Sequence, residues 1–416
     1  MQAIKTFFAD PVNQVAVFVF LLLCFFMPSV YLPYDKDSFV PWCLYIFNNG
    51  IAQAYHVPAP PMNYPPLICY MMWLFGKLQG SAGNIQNYFH FFKWYGLLFD
   101  FLGALLVLRF VKDNKHRILF ILLMIANPAF IYNSYMWGQL DSILVFFILA
   151  CVWYLLQKRP IVAAIMFLLA INMKPQAIIF VPPLFLLAVV NLKGEIKWKT
   201  AFQTIAACIA LELVLLTPFI LAGEVMSVAN AYLHAVDFHP KISIAAFNIW
   251  VLLVGKDNLG LSDSLQWGLL TYKQAGLLMF FIASFFAMLP LFLAALYAVF
   301  KRPRFIINNQ IVLLTFALIP LLFFYLNTQM HERYSHPAMV FIAAYSFLTR
   351  RPYLFLLFCF TYFCNLEPRL YAMGFPNYNI LIFDPLFVAI LFATIIASLF
   401  YLLYKEVYLQ KNTYDR

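Results

Sequence analysis

The sequence predicts an all-α polytopic membrane protein of about 12 transmembrane helices, with extracytoplasmic loops that carry short interfacial helices. Three observations lead there. The 416 residues are 64% hydrophobic, 19% aromatic and only 11% charged, with a mean hydropathy of +0.83. Apolar runs of about twenty residues recur along the chain, the length a helix needs to cross a bilayer. The basic residues fall in short groups between alternate runs, as topogenic charge does.

The first run, "VNQVAVFVFLLLCFFMPSVYL" (12–32), is too long for a signal-peptide core and lacks a small-residue cleavage site, so it reads as an uncleaved span. The further spans are expected at about 92–111, 118–133, 141–156, 160–173, 177–191, 201–222, 275–300, 308–326, 337–349, 352–365 and 380–404. Several are short or broken by proline. They build one integral membrane domain over 1–416, with no fixed-period repeat and no low-complexity segment.

The net charge of +10 is dispersed between spans, which excludes a nucleic-acid surface as its first explanation. Every second gap is basic. These gaps hold Lys112, Lys115 and Arg117; Lys158 and Arg159; Lys193, Lys197 and Lys199; Lys301, Arg302 and Arg304; Arg350 and Arg351; and Lys405, Lys411 and Arg416. With Lys5 and Arg109, one side collects 18 of the 27 Lys and Arg residues. The positive-inside bias makes that side cytoplasmic, with both termini on it. The seven cysteines show no metal-ligand spacing. Cys43 and Cys69 share one loop and are expected as free thiols, with pairing the alternative if that loop is extracytoplasmic.

The other gaps hold different chemistry: "YDKDSFVPW" (34–42), "MNYPPLICY" (62–70), "NSYMWGQLDS" (133–142), "NMKPQ" (172–176), "DFHPKISIAAFNIW" (237–250), "MHERYSHP" (330–337) and "NLEPRLY" (365–371). Two of these outer loops are long, about 33–91 and 223–274, and loops of that length are usually functional. Their apolar content suits short helices in the membrane interface.

Asp35 and Asp37 follow the first span. A carboxylate there can act as a general base under a loop that excludes water, or simply mark the solvated end of a helix. Two prolines after Asn63 and Tyr64 make a rigid corner, and an aromatic face with an amide suits a pyranose ring. Asp141 or Ser142 can cap the following helix, which leaves neighbouring Trp137 and Gln139 unexplained. Lys174, beside Gln176, is either a snorkelling anchor or a phosphate partner. Arg333 suits a phosphate oxygen and His331 can add a hydrogen bond beside Glu332. His331 and His336 are five residues apart, on different faces of a helix, so "HExxxH" is not a zinc-protease motif. Asp100, Glu212 and Asp384 lie within spans, where a carboxylate is costly; Asp100 can orient a loop residue or line a cavity.

In this order, the motifs resemble the GT-C superfamily of membrane glycosyltransferases, which use polyprenyl-phosphate sugars. The resemblance rests on Asp35 seven residues before Trp42, then Asn63-Tyr64-Pro65-Pro66, Trp137-Gly138-Gln139-Leu140-Asp141-Ser142, Lys174-Pro175-Gln176 and His331-Glu332-Arg333-Tyr334. The chain is similar to bacterial enzymes described as GPI-type mannosyltransferase-like, and more distantly to dolichyl-phosphate-glucose glucosyltransferases. The latter carry a "DYPP"-like turn at 63–66 and an "HEK"-like motif at 331–333, where this chain has Asn63 and Arg333.

That resemblance implies inverting transfer of one hexose, mannose in the first place, from a polyprenyl-phosphate donor to an acceptor hydroxyl on the extracytoplasmic side. Asp35 matches the family's general base, with Asp37 in reserve. Lys174, His331 and Arg333 would hold the donor phosphate; Asn63, Tyr64, Trp137, Gln139, Asp141, Gln176 and Glu332 would contact sugar or acceptor. No metal or cofactor is required, because a phosphodiester leaves without a protein acid once cations offset its charge. The acceptor would be a lipid-linked glycan, a glycolipid or a protein, and a monomer in a bacterial inner membrane is expected. Two other readings compete. A transporter or lipid flippase needs polar groups at mid-membrane reachable from both faces, and paired broken helices, which the sequence lacks. A polysaccharide polymerase or ligase shares the donor chemistry but moves a preassembled glycan.

Overall fold

The computed structural model describes residues 2–29, 33–192, 198–233, 240–300, 307–371, 374 and 380–414. Lys193, Lys197, Lys301, Arg302, Arg304 and Arg416 of the basic groups lie outside the described residues, as do Asp237 and His239. The side chains of Asp35 and Lys411 lie outside them too.

Each apolar run folds as helix, and polar residues set where the helices start. Asp10 accepts from the Val12 amide ahead of Pro11–Phe25, Asp113 from His116 ahead of Asn114–Ile125, and Asn308 from Ile311 ahead of Asn309–Leu326. Thr271 and Gln274 form a reciprocal capping box at the start of Tyr272–Val299. Such side chains satisfy amides that the first turn leaves unbonded.

Among the described residues, six helices are long and apolar enough to cross a membrane: Ala82–Val107, Pro175–Leu192, Trp198–Leu221, Tyr272–Val299, Asn309–Leu326 and Pro385–Gln410. A seventh forms if Asn114–Ile125 and Pro128–Met136, bent by 47°, count as one. The expected twelve are therefore not reached. The runs at 12–32, 141–156, 160–173 and 337–349 give helices of 15, 16, 14 and 11 residues. At 1.5 Å per residue these measure about 16–24 Å, less than the roughly 30 Å hydrocarbon core. Pro352–Leu370 carries Asn365, Glu367 and Arg369 near its end and is not among the six. In the first long loop the helix starts at Ala82, ten residues ahead of the expected span, because the aromatic run Phe89–Phe92 continues as a 3-10 turn.

Burial separates the helices into inner and outer ones. Asn309–Leu326 is the central post, 83% buried over its apolar window, and packs against Ala338–Leu348, Pro385–Tyr414 and Tyr272–Val299. Asp141–Leu156 is enclosed by Pro160–Met173 and Lys93–Val107. Trp198–Leu221 is only 11% buried and presents Phe202, Ile209, Leu213, Val214 and Leu221 outward. In water an apolar face of this length would be a large liability, whereas lipid solvates it. The chain is a membrane-embedded helical protein.

The two long loops, 33–91 and 223–274, are largely structured among the described residues. The first holds helices Pro33–Asn49 and Pro66–Gln79. The second holds helices Val225–Leu233 and Ile249–Val254 and a short strand, Ser243–Ile244. That strand pairs in parallel with Met330–His331, placing Ser243 opposite Met330 and Ile244 opposite His331. Trp250 Nε1 donates to the Asn327 carbonyl at 3.1 Å, and Thr328 Oγ1 donates to Asp263 Oδ2 at 2.8 Å. The second loop is thus strapped to the segment 327–337, which holds the most polar motif of the sequence.

Candidate functional site

Four of the polar and aromatic motifs meet where these helices end. Lys174 precedes Pro175, and a proline disfavours helical conformation in the residue before it. Lys174 accordingly leaves the Pro160–Met173 helix in an extended conformation, φ −150° and ψ 132°. Its ammonium group pairs with Asp141 Oδ1. Asp141 is the first residue of its helix, where a carboxylate also complements the helix dipole. It does not serve as the N-cap. That position is Leu140, without a side-chain cap, and Ser142 Oγ donates to the Gly96 carbonyl at 2.9 Å. The capping role open to both residues in the sequence is therefore corrected.

The turn carrying Trp137 is built by a π-helical stretch, Ile131–Met136, followed by Gly138 at φ +81°, a conformation only glycine adopts without strain. The Gln139 amide donates to the Asn133 carbonyl at 2.9 Å and closes the turn. Gly96 lets this turn come close, since a Cβ there would meet the Gln139 carbonyl oxygen at 3.0 Å. Trp137, buried, lies under Arg333, whose guanidinium carbon is 4.9 Å from the ring centre.

Arg333 joins the clusters. Its Nε lies 3.6 Å from Asp141 Oδ2 and its Nη1 donates to Glu332 Oε1 at 3.3 Å. Tyr334 gives a second ring 5.8 Å from the guanidinium, and Tyr64 lies 5.6 Å from the Lys174 ammonium. His331 Nδ1 is 3.7 Å from Glu332 Oε2. The backbone of this segment is held by Asn365, whose Nδ2 donates to the Glu332 carbonyl at 2.7 Å while its Oδ1 accepts from the Phe247 amide at 2.8 Å.

Two cations and two carboxylates are thus interleaved in a largely buried cluster with aromatic rings against it. Burial alone would lower the Lys174 ammonium's pKa, but the Asp141 charge outweighs it and holds it above the ordinary value. Burial alone would raise the Glu332 carboxyl, but its hydrogen bond with His331 and the Arg333 charge hold it below. His336 is buried within reach of the Asp141 and Lys174 charges. Burial pushes its imidazole down to about 4, and its Nδ1 takes the 3.4 Å contact from Asn133 Nδ2. Five buried polar atoms here have no hydrogen-bond partner: Asn63 Oδ1, Asn133 Oδ1, Gln176 Nε2, Ser335 Oγ and His336 Nε2.

Of the sequence-predicted residues, Tyr64, Trp137, Asp141, Lys174, His331, Glu332 and Arg333 come together through these contacts. Gln139 is buried in the turn beside Asp141; Asn63 and Gln176 are half-buried next to Tyr64 and Lys174. The acidic motif is less directly joined. Asp37 is exposed, and Asp35 occupies the first turn of Pro33–Asn49 with its side chain outside the described residues. That helix reaches the cluster through Phe39 and Trp42, whose rings lie 5.9 and 6.0 Å from Tyr64. Asp35 stands four and seven residues before them in the sequence.

Sequence reasoning named Tyr334 only within the 331–334 motif, without a site role, and did not single out Asn133, Asn365 or Lys93. Asn365 and Asn133 lie in motifs whose polarity was legible, but a hydrogen bond to a distant partner has no sequence signal. Among the described residues, no three His, Cys, Asp or Glu side chains are grouped to hold a metal ion. All seven cysteines are free.

Helical architecture and site together define a membrane-embedded protein with one charged, aromatic-walled cluster where its helices end. The chain matches no protein-family model and no curated protein sequence.

Proposed function

We propose that this protein is a GT-C-type glycosyltransferase that moves a single hexose, mannose before glucose, from a polyprenyl-phosphate donor to an acceptor hydroxyl on the extracytoplasmic side. The observation that carries the reading is the meeting of Lys174 and Arg333 at Asp141, between the rings of Tyr64, Trp137 and Tyr334. Motifs from 64, 137–141, 174 and 331–334 converge there, and they are the motifs on which the family resemblance rests.

The chemistry is consistent with those groups. The acceptor oxygen attacks the anomeric carbon from the face opposite the phosphate. Its O–H proton passes to the Asp35 carboxylate as the C–O bond forms. The anomeric carbon–oxygen bond to phosphate breaks, and its electron pair leaves with the polyprenyl phosphate, giving inversion. Lys174 and Arg333 offset the growing phosphate charge, and His331 can donate a further hydrogen bond to it. Aromatic faces and the amides of Asn63, Gln139 and Gln176 suit the sugar. The dispersed inside charges orient the site outward, in a bacterial inner membrane with both termini cytoplasmic. The lipid-linked donor is the only small molecule this chemistry needs.

The test offers purified protein short-chain polyprenyl-phosphate mannose and glucose separately, with a cell lipid extract as acceptor. Transfer from one donor by the wild type, abolished in Asp35→Asn with the fold retained, is expected. A fully active Asp35→Asn protein would remove Asp35 as base, and inactivity with both donors would remove the reading.

A further inference from the structure

Lys93 is fully buried at the start of the Lys93–Val107 helix, at 0% exposure, and belongs to none of the outer motifs. Burying an ammonium group is costly unless strong acceptors replace its water. Its Nζ donates to the Pro28 carbonyl at 2.7 Å and to the Met136 carbonyl at 3.5 Å. These acceptors belong to different parts of the site. Pro28 lies seven residues before Asp35, on the segment that leads from the first helix to Pro33–Asn49. Met136 ends the π-helical turn and directly precedes Trp137, which lies under Arg333.

Other bonds join the same two pieces. Tyr135 OH, one residue before Met136, donates to the Phe26 carbonyl at 2.5 Å and reaches the Leu23 carbonyl at 3.2 Å. Trp94 Nε1, one residue after Lys93, lies 3.4 Å from the Cys24 carbonyl. The end of the first helix is therefore tied by Lys93 and Tyr135 to the turn that presents Trp137, and by Trp94 to the Lys93–Val107 helix. Lys93 is the only one of them that is fully enclosed and charged.

We infer that Lys93 is a positioning residue, coupling the segment that leads to Asp35 to the Trp137–Arg333 pair so that base and phosphate cradle keep one mutual geometry. The inference rests on the function proposed above for its catalytic meaning, but the mechanical link stands on the contacts alone. Lys93 itself touches no reacting atom, so its effect passes through Pro28 and Met136.

The experiment compares wild type, Lys93→Met and Lys93→Gln, each as full-length purified protein, in three measurements. Lys93→Met has similar length and no donor; Lys93→Gln keeps an amide donor. Hydrogen exchange in detergent is expected to be about tenfold faster in Lys93→Met at residues 26–29 and 134–139, the loss expected from two strained or unpaired carbonyls, with other segments unchanged. Turnover is expected to fall about tenfold, while Kd for short-chain polyprenyl-phosphate mannose shifts less than about threefold, because Lys174 and Arg333 remain. Lys93→Gln is expected to recover part of both effects. A merely structural lysine would instead reduce the folded, donor-binding fraction, with Kd and per-site turnover unchanged. Unchanged exchange in both segments overturns the link, whatever the chemistry. Faster exchange with unchanged per-site turnover overturns its role in positioning. If the wild type transfers from neither donor, the proposed function fails, and exchange still decides whether Lys93 couples the two segments.

Discussion

The Arg333 guanidinium rests 4.9 Å from the centre of the Trp137 ring while its Nε faces Asp141 Oδ2 at 3.6 Å. A planar cation is thereby held on one side by a π face and on its edge by a carboxylate, which sets its orientation as well as its place. In the proposed function that orientation aims the remaining donors at phosphate.

Replacing Trp137 by Leu removes the π face and keeps the apolar bulk. A partly desolvated cation–π contact is worth about 1–2 kcal/mol. Donor KM should rise roughly five- to thirtyfold with a smaller change in kcat, as measured in the transfer assay with polyprenyl-phosphate mannose. An unchanged KM would mean that Trp137 does not orient Arg333 for the donor.

Asp141→Asn leaves Lys174, 8% exposed, as a buried cation without its closest carboxylate. Breaking one half of a buried pair costs about 3–5 kcal/mol. Thermal unfolding in detergent should show that loss, and adding Lys174→Met should restore much of it, because neither charge then remains. A double variant no more stable than Asp141→Asn would place the cost elsewhere.

Acid should destabilise the protein earlier than its carboxylates alone predict. His336 titrates near 6.5 when unfolded and at about 4 when folded, so below pH 6.5 the unfolded chain binds a proton that the native one refuses. Stability is fully present above 6.5 and declines as pH falls, by about 3 kcal/mol on reaching 4. The lowered Glu332 carboxyl acts in the same direction, but only below its unfolded value of 4.5. His336→Asn should flatten the decline between pH 6.5 and 4.5 in thermal unfolding; an unaltered slope would refute this assignment.

Gly96→Ala should cost about 1–3 kcal/mol, since its Cβ would meet a backbone carbonyl at 3.0 Å and one helix or the Trp137 turn must shift. Unfolding and transfer measured together should show donor KM rising as well. Gly103, on the same helix with nothing within 4 Å of its Cβ position, is the control and should accept alanine without a fall in stability.

Helices at 141–156 and 160–173 were legible to the residue, because an acid opens the first and a proline the second, and Lys158-Arg159 and the pre-proline Lys174 stand just beyond their ends. Whether such a run crosses the membrane was not legible. Hydropathy reports that a segment avoids water, not whether lipid or protein receives it, and four of the runs fold as helices too short to span alone.

The sequence by itself determined the class of solvent, the helical composition and the motifs that hold the polar and aromatic chemistry. These follow from local properties: apolar content, helical period, caps and prolines. Only the tertiary structure decided which charges neutralise one another. Lys174 and Asp141 are 33 residues apart, and Arg333 comes from far along the chain, yet all three meet because buried charges must find partners and the packing of three helix ends brings these within reach. Lys93 shows the same division. Its charge was plain in the sequence, but its task depends on two backbone carbonyls that no side-chain pattern announces.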